Sequence, residues 1–223
     1  MFNGKRKAVT FSFDDGCMQD VRLIELFDKY GLKCTFNLNS ALAGLDNRVP
    51  LNKINNVYKN HEIAVHTLTH PYLNTLSNDE IISQIENDRI ALQKLVDYEV
   101  CGMAYPFGSS AIDERVIDIV KHNTAIKYAR GTKPTRNFEV QSDLLHFKPT
   151  IHSNQYDSLF CLANEFISLN TEEPKIFYIW GHSFEFDEES GIYWAKFEEF
   201  CKLISNRDDI FYGTNSEVLL MYE

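Results

Sequence analysis

Two kinds of apolar pattern alternate along this chain. Residues 8–13, Ala-Val-Thr-Phe-Ser-Phe, form an apolar run that ends in a glycine turn, the pattern of a strand. Asp20–Tyr30 carries Val21, Ile24 and Phe27 on one face of a helix and is stopped by Gly31. Residues 33–38 read as a second strand, 51–59 as a helix, and Glu62–Val65 as a short third strand. Ser77 opens the longest helix. Glu80 completes a capping box, and Ile81, Ile82, Ile85, Ile90, Leu92 and Leu95 carry the apolar stripe. A fourth strand at 100–105, a helix at 113–122 and a fifth strand at 125–129 follow, and the irregular stretch 131–145 reads as a loop. Beyond it come a sixth strand at 146–151, a helix at 154–169, a strongly apolar seventh strand at 176–180, a helix at 193–204 and a last strand at Ile210–Tyr212. Repeated β-then-α units of this length imply a parallel sheet, and seven or eight of them favour a barrel over an open doubly wound sheet. The expected fold is α/β, a distorted (β/α) barrel of seven or eight parallel strands, as a single domain over residues 1–223 with no repeat or low-complexity linker.

Composition narrows the function classes. The 223 residues suffice for a substantial core, and 44% hydrophobic with 24% charged residues is ordinary for a globular protein. A formal net charge of −10, with no Lys/Arg-rich run, argues against nucleic-acid or anionic-membrane partners. No apolar stretch reaches membrane-spanning length. The chain as written starts without an apolar leader and reads as cytoplasmic, although a secreted chain trimmed of its signal would look the same. Cys17, Cys34, Cys101, Cys161 and Cys201 are odd in number and scattered, which suits reduced, buried thiols better than a disulfide framework.

The chemically suspicious residues share one location. Asp14 and Asp15 follow strand one and His66 follows strand three. Phe107 follows strand four, Arg130 strand five, His152 strand six and His182 strand seven. All lie just past C-terminal strand ends, where barrel enzymes keep their active sites. Two adjacent carboxylates beside an apolar run are costly to desolvate unless something positive compensates. A cation taking one acid, while the other stays free as a base, explains the pair. His66 and His70, four apart and placed as on a helical turn, complete a two-histidine, one-carboxylate set with positions left open for water.

These residues sit in a pattern that resembles a known family. Ser12-Phe13-Asp14-Asp15-Gly16 matches the (T/S)-F-D-D-G signature of the polysaccharide deacetylases, the NodB-homology carbohydrate esterases. His61-Glu62-Ile63-Ala64-Val65-His66-Thr67-Leu68-Thr69-His70-Pro71 is similar to their H-E-I-x-x-H-(T/S)-x-(T/S)-H-P segment, and Ala104-Tyr105-Pro106-Phe107-Gly108 to their R-x-P-(Y/F)-G strand end. The resemblance implies that Asp15, His66 and His70 hold a divalent metal, zinc foremost, with cobalt or another ion as alternatives. It implies Asp14 as general base for the attacking water, the Phe107 backbone N–H as an oxyanion donor and His182 as general acid. The implied substrate is an acetylated carbohydrate.

The chain departs from the family in three places. Ala104 stands where the family has the arginine that pairs with the base, and Arg130 is expected to replace it; a solvated arginine is the competing reading. No D-x-D-W-type motif is found. The segment after His182 continues as Phe184-Glu185-Phe186-Asp187 in place of aliphatic residues, the mark of a divergent branch. His152 either contacts substrate or is satisfied structurally. Trp180, Tyr105 and Phe184 could stack on a sugar ring, although aromatic residues at strand ends are more often core.

The expected function is therefore metal-dependent removal of acetyl groups from N-acetylated, or O-acetylated, sugars in oligo- or polysaccharides. The alternatives are a non-catalytic carbohydrate-binding protein on a decayed deacetylase scaffold and a hydrolase of a non-carbohydrate amide. An aspartate-nucleophile phosphotransferase is rejected, because its D-x-D is absent and the histidine pair would go unexplained.

Overall fold

A computed structural model describes residues 2–188 and 192–220; the remaining positions of the expected 1–223 domain lie outside the described residues. The fold starts from the first strand, β1 (Lys7–Asp14), all of which is buried. Its alternation sorts two environments. Val9, Phe11 and Phe13 point into the main apolar cluster, with Phe11 4.7 Å from Phe27 and Phe13 6.0 Å from Phe197 between ring centroids. The intervening Thr10, Ser12 and Asp14 enter a hydrogen-bonded polar interior, joined to Asn215, Asn37 and Arg130.

The helix α1 (Asp20–Tyr30) ends on Gly31 at φ 65°, and β2 (Cys34–Leu38), a short helix α2 (Ile54–Val57) and β3 (Glu62–Val65) follow. Next come α3 (Asn78–Gln93), with Ser77 and Glu80 forming the expected capping box, β4 (Gly102–Ala104), α4 (Glu114–Asn123) and β5 (Tyr128–Arg130). The chain continues through β6 (Ile151–His152), α5 (Tyr156–Ser168), β7 (Lys175–Gly181), α6 (Ile192–Ile204), β8 (Ile210–Tyr212) and α7 (Asn215–Leu219).

Among the described residues the eight strands form one sheet in the order β5-β4-β3-β2-β1-β7-β6, with β8 on β1. Every strand pairing is parallel. The sheet curls into a distorted (β/α) barrel; among the described residues no ladder joins β5 to β6, and an isolated bridge links Arg130 of β5 to Phe147, four residues ahead of β6. Helix α7, which the periodicity does not announce, seats Val218 and Leu219 against Ala8 and Tyr178.

Three expected elements differ. The sixth strand, expected at 146–151, is a 3-10 turn at Leu144–His146 followed by the two-residue β6. Phe147 bonds to β5 while Ile151 pairs with β7. Pro149 between them has no N–H to carry a ladder across, so one strand cannot serve both. The helix expected at 51–59 is a 3-10 turn at Leu51–Lys53 and the four-residue α2, in a segment with asparagine at 52, 55 and 56, a poor helix former. The fifth strand starts three residues late, because Thr124 Oγ1 still donates to Val120 O at 2.6 Å and holds the chain to the end of α4. No helix among the described residues is long and apolar enough to cross a membrane.

Candidate active site

Parallel register brings the strand ends together. Asp14 pairs with Asn37, Phe13 with Gly181, Ala104 with Arg130 and His152 with Trp180. Asp14, Asp15, His66, Phe107, Arg130, His152 and His182 therefore lie at one end of the sheet.

Asp15 begins the turn after β1 in the left-handed region, at φ 79°. Gly16 continues it at φ 66°, where a Cβ would lie 2.9 Å from Leu38 Cδ2. The turn is held by Asp15 N–H on Asn37 O at 3.0 Å and Val49 N–H on Gly16 O at 2.8 Å. It aims Asp15 Oδ1 at two imidazoles, 3.9 Å from His66 Nε2 and 3.7 Å from His70 Nε2. Asp15 Oδ1 is buried and accepts no hydrogen bond; Arg48 stands off at 3.8 Å.

The His66–His70 segment is not the helical turn its spacing suggests. Thr67 and His70 are left-handed, at φ 66° and 57°. Asn39 Nδ2 takes the His66 and Thr67 carbonyls, at 2.5 and 2.9 Å, which a helix would need for itself. His70 precedes Pro71, a position that disfavours the right-handed helical region. Helix α3 secures the loop: Leu68 N–H donates to Gln84 O at 2.9 Å, and buried Asp88 accepts from the Ser40 and His66 N–H groups at 2.7 and 3.2 Å.

The tautomer of His66 follows from its partner. Ala104 O, 2.7 Å from Nδ1, can only accept, so Nδ1 carries the proton and the Nε2 lone pair is left for a cation. Burial and the neighbouring His66 lower the pKa of His70 and favour its neutral, ligating form. A buried carboxylate oxygen that accepts no hydrogen bond, beside two imidazole nitrogens, is a donor set that suits a divalent metal.

Asp14 is 2% exposed and Arg130 1% exposed. Arg130 reaches Asp14: one guanidinium nitrogen donates to both carboxylate oxygens, at 2.6 and 2.5 Å. Its other nitrogens bond Ser12 Oγ and Gly131 O, both at 3.1 Å, and its guanidinium lies 4.6 Å from the Trp180 ring centroid. Asn37 Nδ2 adds a bond to Asp14 Oδ1 at 2.8 Å. Burial alone would raise the Asp14 pKa, but Arg130, His66 and His182 outweigh it and bring it from 3.8 to about 2. Asp14 is thus held as a carboxylate. The strand after the one bearing Ala104 supplies the cation, at the paired position.

Phe107 is left-handed at φ 56°. Its half-exposed ring stacks on Tyr72 at 3.9 Å and meets the edge of His70 at 4.5 Å. Asp15, Thr67, His70 and Phe107 are four left-handed, non-glycine residues around one point, a strain on the order of 1–3 kcal/mol each of the kind found at functional sites.

His182 follows β7, with Nδ1 3.2 Å from Glu185 Oε1. Burial alone would lower its pKa; Glu185, Asp14 and Asp15 reverse this and raise it. Ser183 Oγ donates to buried Asp20 at 2.5 Å and so ties this loop to the start of α1. Burial pushes the Asp20 carboxyl up to about 7. Cys17 is an inert buried thiol, raised to about 12 by burial and by Asp20 and Asp15.

Asn37, Asn39, Asp88 and Glu185 escape sequence reasoning. Glu185 alone had a signal, as the acid three residues after His182 in the segment that departs from the family pattern. Of the candidate sugar-stacking residues, Phe184 is exposed 5.1 Å from His182, whereas Trp180 and Tyr105 are buried.

Solved structures share this fold. A family 4 acetyl xylan esterase from Clostridium thermocellum, in complex with a cobalt ion, has a TM-score of 0.63 at 18% identity over 96% of this chain and 91% of that one. A Streptococcus pyogenes deacetylase in complex with acetate gives 0.55 at 20% identity over 61% of each chain, so the match spans about three fifths of that protein. A CE4 family pseudoenzyme from Bacillus anthracis gives 0.57 at 16% identity over 96% of this chain and 66% of that one. Such identities show the fold alone. No curated protein sequence matches the chain. Residues 3–127, more than half of the chain, match the family model described as polysaccharide deacetylase, and the chain belongs to that family.

Proposed function

We propose that this protein is a metal-dependent deacetylase that removes acetyl groups from N-acetylated sugars in oligo- or polysaccharides, with an O-acetyl ester as the alternative bond. The observation that carries the reading is the buried Asp15 Oδ1, without a hydrogen-bond donor, facing the Nε2 atoms of His66 and His70 at 3.9 and 3.7 Å. Asp15, His66 and His70 would hold a divalent cation, zinc or cobalt, which when bound polarises the attacking water and the acyl oxygen.

The other residues divide the proton work. Asp14, ionised and fixed by Arg130 and Asn37, accepts the proton of the attacking water as the new C–O bond forms. The Phe107 backbone N–H faces the developing oxyanion, a donor worth roughly 3 kcal/mol in the transition state. His182 Nε2 delivers a proton to the amine nitrogen as the C–N bond breaks, and acetate leaves. Phe184, Phe107 and Tyr72 offer exposed aromatic faces beside these groups for a sugar ring.

Zinc titration by calorimetry, followed by acetate release from acetylated chito-oligosaccharides and acetylated xylan, tests the reading. One metal equivalent and metal-dependent acetate release are expected. Tight sugar binding by the metal-loaded protein without acetate would replace the deacetylase with a non-catalytic binder.

A further inference from the structure

A second cluster of two histidines and a carboxylate lies at the ends of β6 and β7. His152 Nε2 is 3.5 Å and His182 Nδ1 3.2 Å from the same atom, Glu185 Oε1, and the three side chains could on distance alone surround a metal. Their hydrogen bonds argue otherwise. His152 Nδ1 accepts from the Asn154 backbone N–H at 3.2 Å. An N–H can only donate, so the proton of neutral His152 is on Nε2, facing Glu185. A metal on Nε2 would force the ring proton onto Nδ1, directly against that N–H. Glu185 Oε2 is buried without a donor, so Oε1 carries all the compensation for a largely desolvated charge.

From this wiring we propose that Glu185 is the positioning residue of His182, accepting its Nδ1–H together with the Nε2–H of His152 on one oxygen, so that the cluster holds protons and not a second metal. The inference rests on the deacetylase reading for the role of His182, but not for the wiring itself. With Nδ1 bound to Glu185, His182 presents Nε2–H as its only free donor, the group an acid catalyst needs. His152 is fixed by Asn154 and by its ring packed edge-on to Trp180 at 4.3 Å, so it steadies the carboxylate from the far side.

The charged groups around His182 are Glu185 on its own loop and Asp14 and Asp15 at the end of β1. Around His152 they are Glu185, His182, Arg130 and Asp14. Of these acids, Glu185 is hydrogen-bonded to His182 and stands 3.5 Å from His152 Nε2.

The test is a histidine ring titration by nitrogen NMR on the zinc-loaded protein, with zinc stoichiometry measured alongside. Glu185→Gln should lower the His182 midpoint by about one unit, a tenfold change in its proton affinity. His152→Ala removes the competing donor and admits water, so it should leave that midpoint equal or higher. Every variant should bind one equivalent of zinc. In wild-type protein the His152 shifts should report the Nε2–H form. With an active substrate, the alkaline limb of kcat/KM should move down with the midpoint in Glu185→Gln, and Glu185→Asp should restore part of it. An unmoved midpoint in Glu185→Gln, a fall in both variants, or a second zinc equivalent lost with Glu185 would each overturn the proposal. The ring titration reads the wiring even if no acetylated sugar is turned over.

Discussion

Two sets of two histidines and one carboxylate stand at the same end of this barrel, and their far ring nitrogens set them apart. His66 gives its Nδ1 proton to the Ala104 carbonyl, which frees Nε2 to face Asp15 as a lone pair. His152 receives a proton donor at Nδ1 from Asn154, which turns Nε2 into a donor toward Glu185. Both clusters bring two imidazoles within 4 Å of one carboxylate oxygen, on an aspartate in the first and a glutamate in the second. The backbone atom on the back of each imidazole, carbonyl or N–H, decides whether the front offers electrons or a proton. Arg130 lies between the two, with its charge on Asp14 and its guanidinium plane over Trp180, the residue against which His152 packs.

The largest effect is expected from Asp15→Asn. Loss of the anionic donor should abolish tight zinc binding and cut acetate release on the order of 10³-fold, about 4 kcal/mol, in a protein that still folds. Calorimetry and a thermal melt check it; undiminished zinc affinity would mean that the first cluster is not the metal site. Arg130→Leu comes next in size. It leaves Asp14 as an uncompensated buried charge, at about 3–5 kcal/mol. For a domain of this length that lowers Tm by roughly 6–20 °C. A drop under about 2 °C would show that the ion pair does not hold the strand ends together.

The pH dependence of the same pair is a finer test. The Asp14 pKa is depressed in the folded state, so its stabilisation is fully present above about pH 4 and is lost as pH falls from 3.8 toward about 2. The amount is about 2 kcal/mol. Urea melts across that window should show this slope in the wild type and a flatter profile in Asp14→Asn. The smallest effect belongs to Phe107→Gly. Relief of the left-handed backbone at φ 56° should nearly offset the lost stacking on Tyr72, for a net change under about 1 kcal/mol. A larger loss would mean that the ring, and not the turn, organises that rim.

Much of this was readable before the structure. The capping box Ser77/Glu80, helix α1 with its Gly31 stop and the short β3 follow from local spacing and appear at the expected residues. The split sixth strand and the His66–His70 turn did not follow, and in each case a distant partner overrode the local pattern. Phe147 is drawn to β5 while Ile151 pairs with β7, and Asn39 takes the carbonyls that a helical turn would have used. Glu185 was visible only as an acid in an odd segment.

The alternation of strand and helix in the chain was enough to require parallel strands, and parallel strands place every residue that follows a strand at one end. That is why the acids and histidines could be grouped before any distance was known. The roles within the group depend on contacts that linear spacing does not encode. Arg130 is 116 residues from Asp14, and His66 is 38 from Ala104. The tautomer is settled by such partners, because either ring nitrogen of a neutral histidine can carry the proton until folding puts an acceptor or a donor behind one of them.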